Sequence, residues 1–202
     1  KIAIGRVAEA GDITEKQRNA LLADMTGEVA DLVLATNYDQ TLAISMAEAR
    51  APRRLDVHVR FMRTLEREGR LDREVEMLPN EEALTERANA GRGLTRPEIA
   101  VLMAYAKIQL FDELCASDAP DDDAMVPFLI GYMPTPLRET YREAVLNHRL
   151  RREIIATVLG NAIVNEGGIT FVHRLKEEAG ATMGEIARAF VVARDVFELP
   201  KL

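Results

Sequence analysis

Apolar residues along the 202-residue chain recur every three or four positions, and no segment alternates with the period of two that marks a half-buried strand. The first pattern opens at Thr14, with Gln17 three residues later in a capping-box arrangement, and carries Leu21, Leu22, Met25, Val29, Leu32 and Val33 on one face. It predicts a helix starting at Glu15, bending around Asn37 and continuing through Leu42 and Met46 to Arg50. Pro52 disfavours helical geometry at Ala51, so it is expected to end that helix and open a second one carrying Leu55, Met62 and Leu65. Gly69 supplies the left-handed stop.

Further along, residues 72–78 and 80–90 read as two short helices separated by Pro79, the second capped by Asn80 with Glu81 and Glu82 in its first turn. Thr95 and Glu98 form a second capping box around Pro97. Behind it, Ile99, Leu102, Met103, Ala106, Leu110 and Leu114 make the clearest helical stripe in the chain. After the acidic stretch 118–123 the pattern predicts a short helix around residues 128–132, a turn at Pro134 and Pro136, and a long helix over residues 137–165 closed by Gly167 and Gly168. Residues 171–179 form another helix ending at Gly180, and Thr182 with Glu185 opens the last one. The predicted fold is all-α, an irregular multi-helix bundle of about eight to ten helices.

Composition narrows the class. Hydrophobic residues at 48% and charged residues at 29% suit a globular core rather than disorder. The single cysteine, Cys115, can close no internal disulfide and suits a reducing compartment, so a cytoplasmic location is expected. No apolar run approaches membrane-spanning length. A net charge of −7 weighs against a general nucleic-acid footprint. The chain starts with Lys1 rather than methionine, and residues 1–4 read as the inside of an element, so a piece of something longer is expected.

Candidate chemistry is sparse. His58, His148 and His173 stand far apart, without a metal-binding spacing, and are expected to pack or lie on helix surfaces. Cys115 sits in an apolar helix with no nucleophile signature around it and is expected to pack as a small hydrophobe. The Gly91-Arg92-Gly93 segment lacks the third glycine and preceding strand of a dinucleotide fingerprint, and no P-loop occurs. The stretch 118–123 lacks the EF-hand spacing. Arg149, Arg151 and Arg152 form the densest basic patch, suited to an anion or an acidic protein surface, or else to a solvated face paired with Glu143 and Glu153. No self-sufficient catalytic, cofactor-binding or metal site emerges. Residues 182–190 after Gly180 also have the look of a helix-turn-helix, which keeps a nucleic-acid-binding regulator as the alternative, although Arg188 and Arg194 are the only cations of the last helix.

Five ordered blocks carry a family resemblance: NYDQTLAISMAEARA at 37–51, LEREGRLD at 65–72, GRGLTRPE at 91–98, HRLRREIIAT at 148–157 and ITFV at 169–172. Together they resemble the C-terminal region of the large bacterial NAD-specific glutamate dehydrogenases. The resemblance implies that residues 1–14 are the tail of an upstream catalytic core or a linker, and that residues 15–202 are a C-terminal helical domain. It also implies an oxidoreductase parent that turns L-glutamate, NAD and water into 2-oxoglutarate, ammonia and NADH. NAD would then bind the parent's core and not this segment, because the family's catalytic lysine and aspartate and its glycine-rich loop match nothing in residues 1–202. The expected role is structural and regulatory, with the upstream core as partner, a homo-oligomeric parent, and neither nucleic acid nor membrane.

Overall fold

The computed structural model describes Ile4, Gly5, Val7, Gly11 and residues 13–198. Most of the segment 1–14, and the last four residues, therefore lie outside the described residues. Among the described residues there are ten α-helices and no strand, as the period of the apolar positions predicts.

Helix α1 (Glu15–Asp24) begins at the Thr14–Gln17 capping box. It is followed after Met25 by α2 (Thr26–Arg67), a single helix of 42 residues with Pro52 inside it. This corrects two expectations: the break falls at Met25 rather than near Asn37, and Pro52 does not end a helix. At the break the Thr26 hydroxyl donates to the Leu22 carbonyl at 3.1 Å, a back-bond that bends helices, and Gly27 follows immediately. At Pro52 the lost hydrogen bond is outweighed by packing on both sides, because Ala51, Leu55, Val57, Phe61, Met62 and Leu65 are all buried. Gly69 stops α2 as predicted: with φ of 69° it hands its N–H to Glu66, while the Arg70 N–H reaches back to Leu65.

Residues 72–78 form turns and not the predicted helix. The Asp72 carboxylate accepts from the Glu74 and Val75 N–H groups, and this local alternative outcompetes the helical ladder. The helix predicted next is present as α3 (Glu81–Asn89), capped by Asn80. Helix α4 (Arg96–Ala116) follows the Thr95 box, and its whole predicted stripe from Ile99 to Leu114 is buried.

Two short 3-10 turns, Ala119–Asp121 and Asp123–Met125, lead into α5 (Val126–Tyr132). The single long helix expected over 137–165 is instead three helices, α6 (Thr135–Thr140), α7 (Arg142–Leu146) and α8 (Arg151–Ala162), followed by a π-helical turn, Ile163–Gly167. Tyr141 leaves helical geometry at φ −117° and ψ 32°. The second break is held by the Leu150 N–H donating to His148 Nδ1 at 3.1 Å, with Val145 and His148 buried beneath it. Helix α9 (Phe171–Ala179) has the predicted bounds and α10 (Met183–Val196) opens at the predicted cap, the two joined through Gly180 in the left-handed region and the Thr182 capping box.

The core is centred on α4 packed against α8. Gly160 on α8 lets that helix sit close to Leu110 and Leu114 of α4, where an added Cβ would meet side-chain atoms at 3.7 and 3.8 Å. The second close approach is at Gly93, whose added Cβ would lie 2.3 Å from the Ala51 carbonyl carbon. The glycine loop before α4 thus presses on α2 one residue before Pro52. Among the described residues no single helix is long and apolar enough to cross a membrane.

Candidate functional site

A cavity of about 270 Å³ lies where the end of α2 meets α4 and α9. Phe61, Leu110, Ile169 and Val172 line its apolar part, and Thr64, Arg67, Glu68, Gln109, His173, Lys176 and Glu177 its polar part. The size suits a small ligand, but most of its charges are already paired, and Arg67 donates to the Thr64 hydroxyl at 3.0 Å. Lys176 pairs with Glu113, Glu113 also accepts from Gln109 at 3.1 Å, and Arg60 pairs with Glu177 at 3.4 Å. His173 packs its ring against Phe61 at 5.3 Å between centroids, and its Nε2 lies 3.4 Å from the Glu177 carboxylate. Burial lowers the His173 pKa, against the pull of Glu177. The cavity holds no nucleophile beside a base.

The other sequence candidates resolve into packing. His58 is 4% exposed and is pushed down to about pKa 4 by burial, so it is neutral in the folded chain. The Cys115 thiol is half-buried and its pKa is raised, chiefly by burial, which is the opposite of nucleophile activation. No group of three or more His, Cys, Asp or Glu side chains is placed to hold a metal among the described residues.

The three arginines separate. Arg152 turns inward, where it pairs with Asp121 and donates to the Cys115 and Ser117 carbonyls at 3.0 and 2.8 Å, closing the C-terminal end of α4. Arg149 is exposed, and Arg151 is partly covered with its Nε buried and unpaired. Glu143 is engaged by Asn147 at 2.7 Å rather than by an arginine. On the last helix, Arg188 binds Asp118 and Asp122, both at 3.0 Å, and Arg194 binds Glu166 at 3.1 Å while lying over the Phe128 ring. The two cations that a helix-turn-helix would turn toward phosphate are thus held by carboxylates of the same chain.

Sequence reasoning overlooked one surface. Val33, Leu34, Tyr38 and Leu42 are exposed on the first half of α2, Tyr38 by 68%, with Val29 before them and Met46 after them. The signal was present in the helical spacing, but a stripe of apolar residues reads the same whether this unit or another one covers it.

Comparison with known proteins places the chain. Residues 91–202 match the family described as glutamate dehydrogenase, C-terminal, and residues 1–47 match the bacterial NAD-glutamate dehydrogenase catalytic domain. The chain is 48% identical over 202 residues to the NAD-specific glutamate dehydrogenase of Halomonas elongata, covering all of this chain and 12% of that protein. It is 49% identical over 200 residues to the enzyme of the same description from Pseudomonas aeruginosa, and 40% identical over 197 residues to that from Mycobacterium tuberculosis, again over 12% of each. The chain therefore spans about an eighth of the length of these relatives, and the alignments run through every block on which the resemblance rested. With the C-terminal family matched over more than half of its residues, the chain belongs to the C-terminal region of the bacterial NAD-specific glutamate dehydrogenases.

Proposed function

We propose that this chain is the C-terminal structural and regulatory part of an NAD-dependent glutamate dehydrogenase and carries none of the catalytic groups itself. The parent reaction converts L-glutamate, NAD and water to 2-oxoglutarate, ammonia and NADH, with NAD held by the upstream core. In this reading residues 1–14 belong to the end of that core or a linker, residues 15–202 form the helical domain, and the whole enzyme works in the cytoplasm as a homo-oligomer.

The observation that carries the reading is the conjunction of similarity along the full chain to enzymes about eight times longer with a fold in which Arg152, Arg188 and Arg194 are held by carboxylates of the same chain. Gly91 and Gly93, the nearest approach to a nucleotide loop, serve other ends. Gly91 terminates α3 at φ 63°, and Gly93 admits the backbone of α2. A rigid helical unit of this kind regulates by favouring one position of the core it docks on, which biases opening of the active-site cleft.

The test has two arms. Calorimetric titration of the 202-residue chain with NAD should show no binding; micromolar affinity would place the cofactor site here and overturn the division of labour. In the parent, removal of residues 91–202 should change KM or kcat for glutamate while leaving NAD binding to the core intact. Unaltered kinetics and assembly would remove the regulatory role.

A further inference from the structure

Every residue from 33 to 42, three turns in the middle of α2, is exposed. A lone helical stretch of this length gains little from its own hydrogen bonds and is marginal in water without packing. Yet the stretch is not written for water. Between Val29 and Ala47 the charged residues are Asp31 and Asp39 alone, whereas positions 48–68 of the same helix and its cap hold ten. The charge-rich half buries its apolar stripe in this unit, from Ala51 through Leu65. In the charge-poor half, Leu34, Tyr38, Leu42 and Met46 follow one another at intervals of four and form one exposed ridge. With Val29 and Val33 the large apolar side chains cover more than half of the helix circumference, taking about 100° per residue. Depletion of charge around exposed aliphatic and aromatic groups is the composition of an interface core.

From these observations we infer that the first half of α2 is an intramolecular docking surface buried by the catalytic domain of the parent chain, so that one helix is shared as a strut between two units. The inference rests on the function proposed above. The match to the catalytic domain ends at residue 47, next to the position where burial in this unit takes over, with Ala43 and Ala51 as the buried residues on either side. The spread of apolar groups around the helix asks for an occupant that wraps it, as the interior of a domain does and a flat contact with a second copy does not. The strut is about 60 Å long, and Gly93 clamps it at Ala51, so a displacement of the catalytic domain reaches the α4–α8 core through one stiff element.

Photocrosslinking in the full-length parent tests the assignment. With Tyr38→p-benzoylphenylalanine, irradiation should give a product that runs at monomer mass and whose adduct peptides come from the catalytic domain. Arg53→p-benzoylphenylalanine, on the exposed side of the charge-rich half, should give none. A product at dimer mass assigns the ridge to a second copy and overturns the inference. The unmodified full-length enzyme provides an independent measure: amides of residues 33–42 should exchange at least about 100-fold more slowly than in an open helix, and exchange at open rates shows that the ridge is uncovered. Failure here is separable from failure of the regulatory reading. Altered glutamate kinetics on removing residues 91–202 together with an unprotected ridge sinks the docking surface alone. A protected ridge with unaltered kinetics sinks the regulatory role alone.

Discussion

At the scale of single residues, volume and backbone approach decide what is tolerated. Leu102 is fully buried at the centre of α4, so Leu102→Ala should cost about 2–5 kcal/mol in chemical denaturation. A loss below roughly 0.5 kcal/mol, typical of exposed positions, would contradict its placement. Two glycines make a sharper pair. Gly93→Ala drives a Cβ into the Ala51 backbone at 2.3 Å, and strain of that kind costs about 1–3 kcal/mol or more. Gly160→Ala meets only ordinary contacts at 3.7 and 3.8 Å inside a helix, where it should stabilise by about 0.5–1 kcal/mol. Measured midpoints should therefore move in opposite directions. Equal losses at both sites would mean that α8 lies closer to α4 than the structure places it.

At the scale of elements, α2 owes its second half to one buried face on which His58 sits without a hydrogen bond to its Nδ1. Folding holds that imidazole neutral, with its pKa pushed down to about 4, whereas in the unfolded chain it titrates near 6.5. Above pH 6.5 both states are neutral and stability is complete. As pH falls from 6.5 toward 4 the unfolded chain takes up a proton that the folded chain refuses, and stability is lost. The slope approaches about 1.4 kcal/mol per pH unit for one such group, with His173 adding to it in the same direction. Glu98 does not confuse the range between pH 7 and 5. Burial raises the pKa of Glu98, but hydrogen bonds from Arg87 and Thr95 outweigh it and leave it lowered from 4.5, so its contribution is present above that value and is lost as pH falls below it. Urea midpoints between pH 7 and 5 should fall for the wild-type chain and fall clearly less for His58→Leu. Identical profiles would show that His58 is accessible to protons when folded.

At the scale of the whole molecule, a charge of −7 is distributed so that the arginines of the last helix face inward to Asp118, Asp122 and Glu166. Fluorescence anisotropy with duplex DNA should accordingly show no appreciable binding at about 50 mM or 200 mM salt, where phosphate contacts produce affinity that drops steeply between the two. Submicromolar binding with that salt dependence would revive the helix-turn-helix reading. The number of helical segments and the extent of buried apolar surface also predict that the chain folds by itself, with a circular dichroism spectrum dominated by helix.

Helix identity, most caps and the central stripe were legible in the sequence because each rests on chemistry within one or two turns. Thr14, Asn80 and Thr182 bind backbone groups three residues away, and Gly69 and Gly180 relieve a local steric conflict. Tertiary structure decided the rest. Pro52 stays helical because residues on both sides of it are buried, while the expected helix over 137–165 breaks where burying Val145 and His148 outweighs continuity. Arg152 could be read as basic from its neighbours, but only the fold brings it to Asp121 and the end of α4. Periodicity fixes which face of a helix is apolar. What covers that face depends on contacts between residues far apart in the chain, which no local pattern encodes.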